Sequence, residues 1–331
     1  MAAKITSTPP DPEKLPWIER YRARSLDEII GHDADIATIR NLIKKKSMPH
    51  WLFYGPPGTG KTSLILALAR ELYGEDSYKS YIKEINASSD RGIDTIRVDV
   101  KKYIKTRSDK VKLIILDEFD AMTDDAQGAL NGVIEKYSGK NRFCLICNNI
   151  NKVIEPIQSR CVKMRFCSIG ADAIKRKLSY IIEKEGIKIE PDAIEALIEL
   201  EPDFRQLLNK LQGIHFMYDA MGEVITKEAV YKYLYKPRPE EIDEIVRKLL
   251  EDDFDSTYRL LVDIILSNRW SIVDMLQYLL RKLLKLSINI DRKNFLIEKL
   301  AEIEFRVKNS RDSEIQLAHL VSSFVKSRSI K

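Results

Sequence analysis

From Trp17 to about Phe166, short apolar runs alternate with stretches whose apolar residues recur every three or four positions. The runs Trp51–Tyr54, Tyr81–Asn86, Val111–Leu116, Phe143–Cys147 and Val162–Phe166 have the length and β-branched or aromatic content of strands. Helical patterns begin near Asp33, Lys61, Gly92, Asp124 and Ile154, with Gly31 and Gly55 at turns between elements. Strand–helix alternation predicts right-handed crossovers and a parallel sheet. After Phe166 the strand signal stops. Residues 168–235 read as three or four short amphipathic helices punctuated by Gly186, Pro191 and Pro202. Lys236-Pro237-Arg238-Pro239 reads as a linker, because each proline pushes its predecessor out of the α region. Beyond it, Ile242–Val246 and Leu279–Leu284 repeat apolar residues at helical spacing. The pattern therefore predicts three domains: α/β over 1–167, small and helical over 168–236, and all-helical over 237–331. The Leu-rich helices of the last fit a bundle core or a subunit interface equally.

Composition narrows the class without naming a function. The 331 residues are 44% hydrophobic and 32% charged, with 13 glycines and 12 prolines, which excludes low-complexity and collagen-like chains. The net charge of +5 excludes an acidic tail protein and points only weakly to polyanions. No run reaches the roughly 18 apolar residues of a membrane span, and Met1–Pro16 is proline-rich without a signal-type apolar core. The expected setting is intracellular, with no membrane partner. Four cysteines in a chain of this length make no disulfide framework. Cys144 and Cys147 have C-x-x-C spacing but lie in an apolar run with no turn to converge two thiolates, so core thiols are expected rather than a zinc site.

The chemistry concentrates at Gly55-Pro56-Pro57-Gly58-Thr59-Gly60-Lys61-Thr62, which follows a strand and, with Ser63, opens a helix. This is G-x-x-x-x-G-K-[ST] in the context it requires. The glycines permit conformations in which successive N–H groups face phosphate oxygens, and the helix N-terminus adds its dipole. Lys61 is placed for the β/γ phosphates, and the Thr62 hydroxyl for Mg²⁺. Some fifty residues on, Leu113-Ile114-Ile115-Leu116-Asp117-Glu118 carries two carboxylates to a strand end. There Asp117 suits the water shell of Mg²⁺ and Glu118 suits positioning an attacking water, which favours hydrolysis over phosphoryl transfer to another substrate. The predicted cofactors are ATP and Mg²⁺.

Three segments then point to a family. Gly55–Thr62, Asp117-Glu118-Phe119-Asp120 and Ile154-Glu155-Pro156-Ile157-Gln158-Ser159-Arg160-Cys161 together resemble the small subunits of replication factor C, the AAA+ clamp loader. Pro16–Arg22 is similar to that family's Trp-Val-Glu-Lys-Tyr-Arg-Pro signature, and Asn86–Gly92 to its Asn-Ala-Ser-Asp-Asp/Glu-Arg-Gly. The resemblance spans roughly Pro16 to Leu320. It implies a P-loop AAA+ parallel-sheet domain, then a helical lid domain and a helical collar domain. It implies a ring with a large subunit and other small subunits, which uses ATP to open a sliding clamp and load it onto primer–template DNA. The compartment would be the nucleus in a eukaryote and the cytoplasm in an archaeon. By the same resemblance Ile18, Arg22 and Ile30 surround the nucleoside, Asn148 senses the γ-phosphate, and Arg205 reaches the nucleotide from the lid. Arg160 enters a neighbour's site, where such a guanidinium is worth on the order of 10³–10⁵ in rate. Taken singly, Arg160 reads as a surface cation, Asn148 as a strand-end cap and Arg205 as a helix-surface charge.

By the same resemblance, the region of Arg91, Arg97 and Lys101 faces the ring interior and follows a DNA backbone, where charge and reach matter more than base reading. Lys102, Lys105, Arg107, Lys110 and Lys112 extend the positive run, and a solvated helix face is the competing reading. Departures stand beside the likeness. Asn131-Gly132 occupies the place of two family arginines, Ala23 the place of a proline, and Pro202 the place of a glycine. The first of these leaves room for a ring member that binds nucleotide as a scaffold without hydrolysing it. Another AAA+ remodeller, such as a branch-migration motor or origin-binding ATPase, would carry a DNA-reading module after Pro237, and only helical periodicity follows there.

Overall fold

A computed structural model describes residues 15–45, 48–89, 98, 100–309 and 313–330. Two compact units are formed, one by the chain up to Lys188 with Leu197–Met217, the other by Ile189–Ala196 with the chain from Tyr218 onward.

The first unit is built on a five-stranded sheet in the order β2-β3-β4-β1-β5, every pair parallel. The strands are β1 Trp51–Tyr54, β2 Ile82–Asn86, β3 Lys112–Asp117, β4 Asn141–Cys147 and β5 Val162–Arg165. Around them lie α1 Trp17–Arg20, α2 Asp33–Lys44, α3 Lys61–Tyr73, α4 Tyr78–Tyr81, α5 Lys101–Lys105, α6 Asp124–Tyr137 and α7 Glu155–Arg160. Alternate strand residues face opposite ways, so the sheet has two cores. Trp51, Phe53, Leu113, Ile115, Cys144 and Ile146 pack with Ile39 of α2 and Leu64, Ile65 and Leu68 of α3. Leu52, Ile114, Leu116, Phe143, Leu145 and Cys147 pack with Leu130 and Ile134 of α6 and Ile157 of α7. Burial on both faces is what selects near-continuous apolar strands in a parallel sheet. All five strands run the same way, so Tyr54, Asp117 and Cys147 end at one edge, where open α/β sheets bind ligands.

The strand and helix expectations agree with these elements to within a residue or two. The helix expected near Gly92 begins outside the described residues. Lys112 is drawn into β3 with only 4% of its surface exposed. Its ammonium donates to the carbonyls of Tyr103, Ile104 and Thr106 at the C-terminal end of α5, and lies over the Tyr103 ring. That corrects the reading of Lys112 as part of an exposed positive run. The C-x-x-C pair also resolves: with odd spacing on a strand, Cys144 enters one core and Cys147 the other. All four cysteines are free, and burial pushes the Cys147 and Cys161 thiols up to about 12. Among the described residues no cluster of three or more His, Cys, Asp or Glu side chains could hold a metal.

Beyond the sheet the chain is helical: α8 Ala171–Glu185, α9 Pro191–Leu200, α10 Phe204–Met221 and α11 Lys227–Leu234. In the second unit a parallel bridge joins Ile189 to Ile225. The helix α12 Pro239–Glu251 begins at the predicted linker, where the Arg238 amide donates to Glu241 in a capping box. With α13 Phe254–Asn268, α14 Ile272–Lys285, α15 Ile290–Asn309 and α16 Ser313–Ser327 it surrounds a core that includes Ile245, Leu249, Leu279, Leu283, Leu300, Leu320 and Phe324. Among the described residues no helix is long and apolar enough to cross a membrane.

Candidate active site

β1 releases the chain into a loop that α3 closes at Lys61. Gly55 has φ +143°, and a Cβ there would stand 2.0 Å from the Phe166 carbonyl oxygen, so no side chain fits. Gly58 and Gly60 have φ of +72° and +90°. Such residues turn successive amides to one side, and Gly60 offers the 13-residue helix α3 no side-chain cap. The first amides of α3 are therefore available to an anion. His32, buried against the Phe166 ring, braces the loop: its Nε2 lies 3.1 Å from the Thr59 carbonyl oxygen. Sequence reasoning passed over His32 because its partner is 27 positions away.

The loop's lysine is 7% exposed. Its Nζ donates to the carbonyls of Gly55 (2.8 Å) and Pro56 (2.7 Å) and to Asn148 Oδ1 (3.1 Å). Burial lowers the Lys61 pKa; Asp117, nearby, opposes that and Arg205 adds to it. Next to it, Thr62 Oγ1 donates to Asp117 Oδ2 at 2.7 Å, and the Glu118 amide donates to Asp117 Oδ1 at 2.8 Å. Glu118 has φ +53°, a left-handed conformation that is costly for a residue with a Cβ. It leaves the Glu118 side chain exposed at the strand end.

Asn148 follows β4, and its position is fixed by a residue the sequence reading quoted but gave no role. Asp120 Oδ2 accepts from the amides of Asn148 (3.3 Å) and Asn149 (3.0 Å). A second such carboxylate is Asp203. Its Oδ1 accepts from the amides of Arg205 (2.8 Å) and Gln206 (3.4 Å) at the start of α10. The same oxygen lies 2.0 Å from where a Cβ on Gly58 would be. The start of the Arg205 helix thus rests on the phosphate loop, and Gly58 is a glycine for that reason as well as for its φ.

One cleft brings together Ile18, Arg22, Ile30, Pro57, Gly58, Thr59, Gly60, Lys61, Thr62, Ser63, Asp117, Glu118, Asn148 and Arg205. Gly55 and Pro56 do not line it; their carbonyls accept from the Lys61 ammonium. Lys177, Phe204 and Leu208 also line the cleft and were not anticipated. Arg160 is not in it. The guanidinium lies at the end of α7, 3.0 Å from Asn131 Oδ1 and 3.3 Å from Glu135 Oε2. Arg91 and Arg97 fall outside the described residues, and Lys101 opens α5 half-exposed.

The donor set fits a nucleoside triphosphate. A ring of amides and one buried ammonium meet the phosphates, and apolar side chains from Ile18 and Ile30 suit a base and sugar. The Thr62 hydroxyl and Asp117 carboxylate, 2.7 Å apart, are the one or two hard oxygens that Mg²⁺ takes from a protein when phosphates and water supply the rest.

Residues 51–169 match the AAA family (ATPase family associated with various cellular activities), and residues 237–323 match the replication factor C C-terminal domain. The replication factor C small subunit of Archaeoglobus fulgidus is 41% identical over 305 residues, covering 91% of this chain and 94% of the relative. Replication factor C subunit 3 of Saccharomyces cerevisiae is 39% identical over 310 residues, 92% and 91% of the two chains. The Thermotoga maritima RuvB Holliday junction branch migration motor superposes with a TM-score of 0.54 at 18% identity, covering 79% of this chain and 91% of that one. Likeness at that identity is one of fold. A phosphate loop, two strand-end carboxylates and a replication factor C C-terminal domain stand in a single chain whose relatives match it nearly end to end. The chain belongs to the small subunits of replication factor C, and it is an AAA+ ATPase.

Proposed function

We propose that this chain works as an ATP-driven subunit of a hetero-oligomeric ring that opens a sliding clamp and sets it on primer–template DNA. The observation that carries the reading is an asymmetry. Apart from Gly55 and Pro56, the residues predicted to face the nucleotide line one cleft, whereas Arg160, which the sequence reading assigns to hydrolysis, sits outside it on α7. That arrangement suits a site completed by a neighbouring subunit. In it Lys61 and the loop amides bind the phosphates, Asn148 senses the γ-phosphate, Arg205 reaches the same nucleotide, and Glu118 orients the attacking water and takes its proton. Thr62 and Asp117 would hold Mg²⁺, which would supply neutralisation of phosphate charge. A functional division into sheet, lid and collar domains at 167 and 236, a DNA track through Arg91, Arg97 and Lys101, and a nuclear or cytoplasmic address belong to the same proposal.

Two substitutions test it in the ring assembled with its partner subunits. Glu118→Gln removes the base and keeps its shape; turnover at this subunit's site falls by on the order of 10²–10⁴ with nucleotide still bound. Unchanged turnover would favour the scaffold reading. Arg160→Ala lowers hydrolysis at the neighbouring site without a comparable loss of ATP binding, and parallel collapse of both would refute the trans role.

A further inference from the structure

The Arg160 side chain is 40% exposed, yet its guanidinium is held on two points. Nε donates to Asn131 Oδ1 at 3.0 Å, and Nη2 lies 3.3 Å from Glu135 Oε2. Asn131 and Glu135 are four apart on α6 and so share one helix face, where their oxygens form a pair of acceptors. They engage the Nε–Nη2 edge of the guanidinium, the side-on fork that planar arginine offers and lysine lacks. Among the described residues Nη1 has no recorded partner, so one corner of the group stays uncommitted.

Stability does not account for this arrangement. Glu135 is 64% exposed, and ion pairs between solvated side chains contribute little to folding. What two acceptors can do is restrict a long side chain that otherwise samples many rotamers. A group that must act across a subunit boundary gains from being placed before its partner arrives, since misplacement by about 1 Å can cost on the order of 10² in rate. In this chain the residue at position 131 is an acceptor of modest length that engages Nε, a contact that neither an alanine nor the arginine of the family pattern could make.

We propose that Asn131, with Glu135, is a positioning residue for Arg160. It orients the guanidinium by its Nε–Nη2 edge so that Nη1 is presented to the triphosphate of the adjoining subunit. The proposal rests on the trans role of Arg160, and the test separates the two. ATP turnover and ATP affinity are measured on the assembled ring carrying Asn131→Ala, Asn131→Asp, Glu135→Gln or Arg160→Ala, and on the Asn131→Ala/Arg160→Ala pair. Asn131→Ala should lower kcat about tenfold with KM little changed, the loss expected when one orienting hydrogen bond is removed. Asn131→Asp keeps an acceptor and should restore the rate, and Glu135→Gln should fall between. In the Arg160→Ala background Asn131→Ala should cost nothing further, because residues that act as a unit are not additive. A full additional loss in that background would overturn the proposal. So would wild-type turnover in Asn131→Ala while Arg160→Ala is defective, an outcome that leaves the trans role standing. Wild-type turnover in Arg160→Ala would remove both.

Discussion

His50 shows how one side chain can carry a pH dependence of the fold. It sits just before β1, where Nδ1 accepts from the Phe143 amide at 3.1 Å and its own carbonyl accepts from Val162. Burial, with the nearby Arg142 cation, pushes its pKa down to about 4. Protonation would turn the acceptor into a donor facing an N–H. Because the folded value lies below the ordinary His value near 6.5, the stabilisation is complete above about 6.5 and is lost as pH falls toward about 4. The denaturant midpoint should therefore drop between pH 7 and pH 5, and His50→Asn, which keeps an acceptor but cannot titrate, should flatten that slope. A slope unchanged in the variant would exclude His50 as its source. Glu118 and Asp203 carry other single-residue features, a left-handed backbone and a carboxylate seated on Gly58. Neither is visible as a residue type; both arise where two segments meet.

At the scale of elements, α6 has stability to gain from a change. Gly128 and Gly132 lie in its interior, and a Cβ at either would meet nothing within 4 Å. Glycine there costs backbone entropy with no packing in return, about 1 kcal/mol relative to alanine. Gly132→Ala should raise the thermal midpoint of the sheet-bearing unit by about 2–4 °C, read by calorimetry, and an unchanged or lower midpoint would show that this part of α6 needs the glycine. The helix is otherwise well specified, with Thr123 as its N-cap and Asp124 and Asp125 in its first turn. Its apolar positions Ala126, Leu130, Val133 and Ile134 were readable by spacing. The role of Asn131 was not, since it depends on Arg160, twenty-nine positions away.

For the whole molecule, the placement of Arg160 outside the cleft predicts that the chain alone is a poor ATPase. Titrating purified partner subunits into it should raise turnover per site steeply, with nucleotide affinity changing much less. High turnover by the isolated monomer would mean that the cleft is complete in one chain. The sequence by itself determined the parallel order of sheet and helix, the phosphate loop and the strand-end carboxylates, because these depend on local periodicity and on residue types at fixed short spacing. It also separated core thiols from a zinc site, though the reason lies in the sheet, which sends Cys144 and Cys147 to opposite faces. Only the tertiary structure decided which carboxylates anchor the site, that Lys112 caps α5 and takes no part in a charged surface, and that Arg160 is held by α6. Such contacts join residues far apart in the chain, and hydrogen-bond partners across that distance are chosen by packing, which no local pattern encodes.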